Sequence, residues 1–171
     1  MSAENLLNSF LETTVETAEL NSEFLLCPEM EDVPVTVKDS TFRIGTYVGK
    51  ADGEEKIWAN LSLQYVVDSA EAREAVKRDE VIVYGAPIFL TIDPETMQLD
   101  PDNNQALART LKVFGLTVEP GMSVKEIFDS FIGGYCIAKI THRAMENKEG
   151  AILDEEGNQR YSAEVSAIGK A

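Results

Sequence analysis

Hydrophobic positions recur every three or four residues at the start of the chain and every second residue after it. Leu7, Phe10, Leu11, Thr14, Val15 and Ala18 share one side of a helical wheel, which predicts a short amphipathic helix. Thr13, Thr14, Val15 and Thr17 weaken that helix, because β-branched side chains lose rotamer freedom in it. Pro28 and Pro34 then break the chain. The division predicts an arm over residues 1–27 and a body over residues 28–171.

In the body the period is two. Residues 35–48 carry Val35, Val37, Phe42, Ile44, Thr46 and Val48, with a bulge or bend expected at Asp39-Ser40. Residues 56–67 alternate most cleanly. Ile57, Ala59, Leu61, Leu63, Tyr65 and Val67 fall on one face, and Trp58, Asn60, Ser62 and Gln64 on the other. Ser69 is placed to cap a short helix through Lys77. Residues 81–92 form the next predicted strand, where Pro87 argues for an edge or a bulge. A polar loop over 93–104 leads to a helix over 104–114 that ends at Gly115, and a second helix spans 123–131. Strands over 134–145 and 159–168 complete the body, joined by a polar hairpin loop that contains Glu149-Gly150 and Glu156-Gly157-Asn158.

This order predicts a mainly β (α+β) fold. Five strands with a helical insertion between the third and fourth match an OB-like five-stranded Greek-key barrel, with short helices between strands and an acidic N-terminal helical arm. Other small α+β barrels fit the pattern almost as well, and fold alone gives no function.

Composition narrows the classes. The 171 residues are 44% apolar, enough for a real core and too many for a disordered acidic tail. The formal charge is −15, but it is unevenly spread. The first 35 residues hold eight acids and neither Lys nor Arg, so the remainder carries 22 acids and 15 bases, or −7. Across more than a Debye length of about 8 Å the arm's field is mostly screened. Steering of nucleic acid by net charge is excluded, while a local basic face on the body is not. The longest apolar run, residues 131–138, is eight residues with two glycines, so no transmembrane helix is expected. Ser2-Ala3-Glu4 after Met1 shows no basic start or apolar signal core, which predicts a cytoplasmic protein. Two cysteines, Cys27 and Cys136, and one histidine build neither a disulfide framework nor a zinc site.

Candidate chemistry is mostly non-catalytic. His142 lacks a nucleophile motif around it and reads as a strand histidine at the end of the core face. Residues 45–51 resemble a phosphate loop but are one residue too short between glycines, and Ala51 replaces the magnesium-binding hydroxyl. Asp93, Glu95, Asp100 and Asp102 lack calcium-hand spacing and read as a solvated turn. No catalytic residue, metal or cofactor is therefore assigned.

The strand faces opposite the core say more. They pair aromatics with polar and basic groups: Arg43 and Tyr47, then Trp58, Asn60, Ser62 and Gln64, then Tyr135, Lys139, Thr141 and Arg143. Cys136, Ala138 and Ile140 point to the core between the last group. Single-stranded nucleic acid asks for stacking surfaces worth about 1–3 kcal/mol per base, and for cations that track phosphates. Trp58, Tyr47 and Tyr135 are expected to stack, and Arg43, Lys139 and Arg143 to meet phosphates. Lys50, Lys56 and Asn60 add to the groove. Leu7, Phe10 and Leu11 are the expected partner-binding residues of the arm.

Several stretches resemble one family. Cys27-Pro28-Glu29 through Val37, Lys56-Ile57-Trp58-Ala59-Asn60-Leu61-Ser62-Leu63 and Val66-Val67-Asp68 look like the front half of small phage single-stranded DNA-binding proteins. Ile88-Phe89-Leu90-Thr91-Ile92-Asp93, Ala106-Leu107-Ala108-Arg109-Thr110-Leu111 and Phe114-Gly115-Leu116 continue the similarity. Phe131-Ile132-Gly133-Gly134, Ala138-Lys139-Ile140-Thr141-His142-Arg143 and the stretch from Tyr161 to Val165 resemble its final strands. The resemblance covers about residues 24–171. It implies an OB-fold that coats single-stranded DNA in phage replication or recombination without catalysis, in the host cytoplasm. Replication or recombination proteins meeting the arm, and a homo-oligomer, go with that expectation. The alternative is an acidic protein-interaction or structural assembly module that binds no nucleic acid.

Overall fold

The computed structural model describes residues 24–171. The arm helix expected over residues 7–18 lies outside them, as do Leu7, Phe10 and Leu11. Alternation along the second strand shows how the sheet closes. Ala59, Leu61, Leu63, Tyr65 and Val67 are buried, while the residues between them reach the outer surface. That strand, β2 (Glu55–Val67), pairs antiparallel with β1 (Met30–Val48) on one side and with β3 (Ile82–Gly85) and β4 (Ile88–Leu90) on the other. β5 (Tyr135–Ala144) pairs with β1, and β8 (Tyr161–Gly169) pairs with β5. A parallel contact between β3 and β8 then closes the ring. The order β1-β2-β3-β8-β5 back to β1 is an OB-like barrel.

Helices fill the connections. α1 (Ala70–Val76) follows β2; α2 (Gln105–Val113) and α3 (Val124–Asp129) lie between β4 and β5. Ser69 caps α1 by accepting the Ala72 N–H at 3.3 Å. Ser123 and Glu126 form a reciprocal capping box on α3. Gly115, at φ +67°, ends α2 as the left-handed position requires. Phe131 is fully buried and meets Phe114 edge-on, centroids 5.6 Å apart. Leu61, Leu63, Val35, Val37 and Ile140 complete the barrel interior; burying such a side chain stabilises by about 1.5–3 kcal/mol.

Three expectations need correction. β1 begins at Met30, so Pro34 sits within it, opposite Ile137, and does not separate arm from body. Proline is tolerated there beside the register shift between Met30 and Val33, a bulge being one of the few places a strand accepts it. Next, the stretch 81–92 is two strands rather than one, divided at the irregularity expected at Pro87. Both run along one edge of β2, but the register slips by one residue across Ala86-Pro87: Ile82 faces Val66, whereas Ile88 faces Leu61. Pro87 lacks the N–H that continuous pairing would need. Last, the loop between β5 and β8 carries its own two-residue ladder, β6 (Glu146–Asn147) and β7 (Gly150–Ala151). The bulge expected in β1 is present, falling between Val37 and Asp39. Among the described residues no helix is long and apolar enough to cross a membrane.

Candidate nucleic-acid interface

Cross-strand partners in an antiparallel ladder point to the same side of the sheet, so register alone assembles the outer face. Beyond the bulge in β1, Arg43 stands opposite Asn60, Gly45 opposite Trp58 and Tyr47 opposite Lys56. On the other edge of β2, Phe89 stands opposite Asn60 and Tyr84 opposite Gln64. Lys56 to Gln64 therefore forms the spine of an outward stripe about 26 Å long at 3.3 Å per residue. Its aromatics are open to solvent: Phe89 is 70% exposed, Tyr84 56%, Tyr47 50% and Trp58 37%. The Gln64 amide donates to the Tyr84 hydroxyl at 3.1 Å and fixes that end.

Trp58 is less exposed because its indole lies flat over Gly45. A Cβ at Gly45 would stand 2.7 Å from Nε1 and 2.8 Å from Cε2 of the indole. Glycine opposite tryptophan thus lets the ring lie down on the hairpin with one face outward.

The opposite side of the same hairpin is apolar. Phe42 packs on Phe128 of α3, centroids 5.4 Å apart, and anchors the hairpin to the barrel. At its tip, Lys56 pairs with Asp52 at 2.6 Å, and the hydrogen bond from Lys56 holds the Asp52 carboxyl below its usual range. Lys50 is exposed in the turn beside it. Arg43 has no ion pair among the described residues.

The structure thus gathers Arg43, Tyr47, Lys50, Lys56, Trp58 and Asn60 on one hairpin. Tyr135, Lys139 and Arg143 lie elsewhere. Tyr135 faces Thr36 of β1, whose other partner, Val66, is at the far end of β2 from Trp58. Lys139 donates to Glu31 at 2.6 Å, which lowers the Glu31 pKa and raises that of Lys139. Arg143 donates to Glu164 at 3.1 Å. The start of β1 thus lies fastened along β5. His142 joins the same fastening: its backbone N–H donates to Glu29 at 2.9 Å and its ring Nε2 to the Cys27 carbonyl at 2.8 Å. It follows buried Ile140 on the same side of β5 and is exposed at the end of that face, where it pins residues 27–29.

Phe89 and Tyr84 belong to the stripe and were not among the expected residues. Reading 81–92 as one strand places Phe89 on the same side as Val81 and Val83, which is the core side. The slip at Ala86-Pro87 turns it outward. The signal was available in Ile88-Phe89-Leu90, where one aromatic separates two aliphatics immediately after a proline.

The polar loop over 93–104 is closed on itself. The Asn104 amide donates to the Thr91 and Asp100 carbonyls, both at 2.8 Å, and its oxygen accepts the Thr91 N–H at 2.9 Å. Asp93 and Asp100 accept backbone N–H groups within the loop. Among the described residues no three His, Cys, Asp or Glu side chains converge as a metal site. The chain matches no protein-family model and no curated protein.

Proposed function

We propose that the protein binds single-stranded DNA without catalysis, coating it in the manner of the phage proteins its sequence resembles, in replication or recombination. The observation that carries this reading is the outward stripe of Tyr47, Trp58, Phe89 and Tyr84, threaded with Arg43, Asn60 and Gln64. Extended strands present bases to such π-faces, and stacking is insensitive to the protein's negative charge. The outer face of the second and third strands is where OB-folds take oligonucleotides, which supports the same side of the barrel. Arg43 meets phosphates directly, Lys50 extends the path at the hairpin tip, and Lys56 joins it only on leaving Asp52.

A second reading keeps one observation in its favour. Lys56, Lys139 and Arg143 are each held by a carboxylate, and the chain carries −15 overall. A protein-interaction module would be built that way, with its cations spent on internal pairs.

Titrating the fluorescence of Trp58, the single tryptophan, with oligo-dT separates the two. Saturable quenching that weakens with salt is the expected result, with a log–log slope of about −0.7 per phosphate contact. No quenching and no gel shift would overturn the DNA reading and leave the interaction module.

A further inference from the structure

Beyond its bulge, one side of β1 has no neighbouring strand. β1 pairs with β5 only from Met30 to Thr36, and from Asp39 to Val48 its sole ladder among the described residues is with β2. The Gly49 N–H donates to the Glu54 carbonyl at 2.8 Å, so Gly49 aims toward β2. Successive residues of a strand alternate in this respect, so Val48, Thr46, Ile44 and Phe42 aim their N–H and carbonyl groups at the open side. None of the four finds a backbone partner there among the described residues.

The edge is also unguarded. Sheet edges are ordinarily blunted by proline, lysine or an inward charge, yet Thr41 to Val48 carries no proline, lysine or carboxylate. Ile44 and Val48 are 48% and 65% exposed on the side away from Trp58, where the stacking stripe gives them no role.

We propose that this edge pairs antiparallel with the same edge of a second copy, about a twofold axis at Gly45. The sequence complements itself in that register. Phe42 meets Val48 and Ile44 meets Thr46 as hydrogen-bonded pairs, which satisfies all four outward residues of each copy. Their side chains join into one apolar strip on the side away from Trp58. On the other side Arg43 stands beside Tyr47, so the one charge of the stretch never meets its own kind. Gly45 faces Gly45 across a non-hydrogen-bonded pair, the closest approach in such a ladder at about 4.5 Å.

Pairing at an edge adds a strand beside β1 and covers neither face of the sheet, so Tyr47, Trp58, Phe89 and Tyr84 stay open. The inference rests on the strand edge alone and does not need the DNA reading. Only residues 42–48 contribute, fewer than the roughly 20–30 a side of a standard interface, so association on the order of 10–100 µM is expected.

Sedimentation velocity of the full chain over a concentration series is the test. The native chain should pass from one copy to two as concentration rises. Thr46→Pro removes one outward N–H while leaving the β1–β2 ladder whole, and Ile44→Lys sets two ammonium groups across the axis. Each should weaken pairing about tenfold or more, with the melting temperature of the dilute chain unchanged. Where the proline variant proves unstable, Ile44→Lys decides, since that side chain is exposed. A native chain that stays a single copy throughout would overturn the proposal, and so would pairing that survives Ile44→Lys.

Discussion

The indole of Trp58 rests on the bare backbone of Gly45, its cross-strand partner, close enough that one added methyl group would collide with the ring. Gly45→Ala should therefore lift the indole from the sheet without straining the backbone, since Gly45 is not at positive φ. Trp58 emission should shift to the red, and oligo-dT affinity should fall. Trp58→Ala should cost about 1–3 kcal/mol of binding whatever the base sequence. Unchanged affinity in both variants would take the ring out of the interface.

Phe89 is expected to behave as a second stacking platform. Phe89→Ala should weaken binding by the same order as Trp58→Ala. Its ring makes little contribution to the core, so stability should move by no more than about 0.5 kcal/mol. Chemical denaturation beside a binding titration checks both halves. A large loss of stability would show that the ring packs.

Cations should divide into two groups. Arg43→Ala should flatten the salt dependence of oligo-dT binding by about 0.7 in the log–log slope. Lys139→Ala and Arg143→Ala should leave the slope unchanged, because Glu31 and Glu164 already occupy those side chains. A slope change in either of the β5 variants would extend the interface across β1.

The Glu31–Lys139 fastening has a defined pH window. Glu31 is depressed below its ordinary 4.5, so its contribution is full above that value and is lost as pH falls through the depressed one. Lys139 is raised above 10.5, so its contribution is full below that value and is lost as pH rises through the raised one. Between these limits the latch is shut. On acidification below pH 4.5, the melting temperature of the native chain should fall more steeply than that of Glu31→Gln. Parallel curves would show that the pair adds nothing.

Both thiols should be silent in the folded protein. Cys136 is fully buried, and burial pushes its pKa to about 11; Cys27 is buried and raised as well. The thiolate is the reactive form, so alkylation at pH 8 should modify neither residue until denaturant is added. In stability terms both groups favour the fold less as pH rises above 9 toward the folded values. Rapid labelling of the native chain would reveal local opening around β5.

What could be read from the sequence was what depends on parity within one strand. β2 has no interruption, and all five of its inward residues from Ala59 to Val67 are buried as its alternation predicts. The helix cap at Ser69 was legible too, since capping is a local exchange of hydrogen bonds. Legibility failed where parity is reset. The extra residue at Ala86-Pro87 flips Phe89 outward, and no local preference fixes where such a slip falls. It failed again for Lys139 and Arg143. A residue's face can be read from alternation, but its ion-pair partner 108 positions away cannot.

The barrel's last seam, Tyr84 with Glu164 and Gly85 with Val165, has consequences for how the molecule comes into being. Every other pairing in the ring joins strands that precede residue 145 or involves β8 itself. During synthesis, at roughly 5–20 residues per second, β3 and β5 must wait with open edges until β8 emerges. Two rows of unpaired backbone groups are then available to any passing strand. The interval before β8 pairs with both edges is when the nascent barrel is most vulnerable to aggregation.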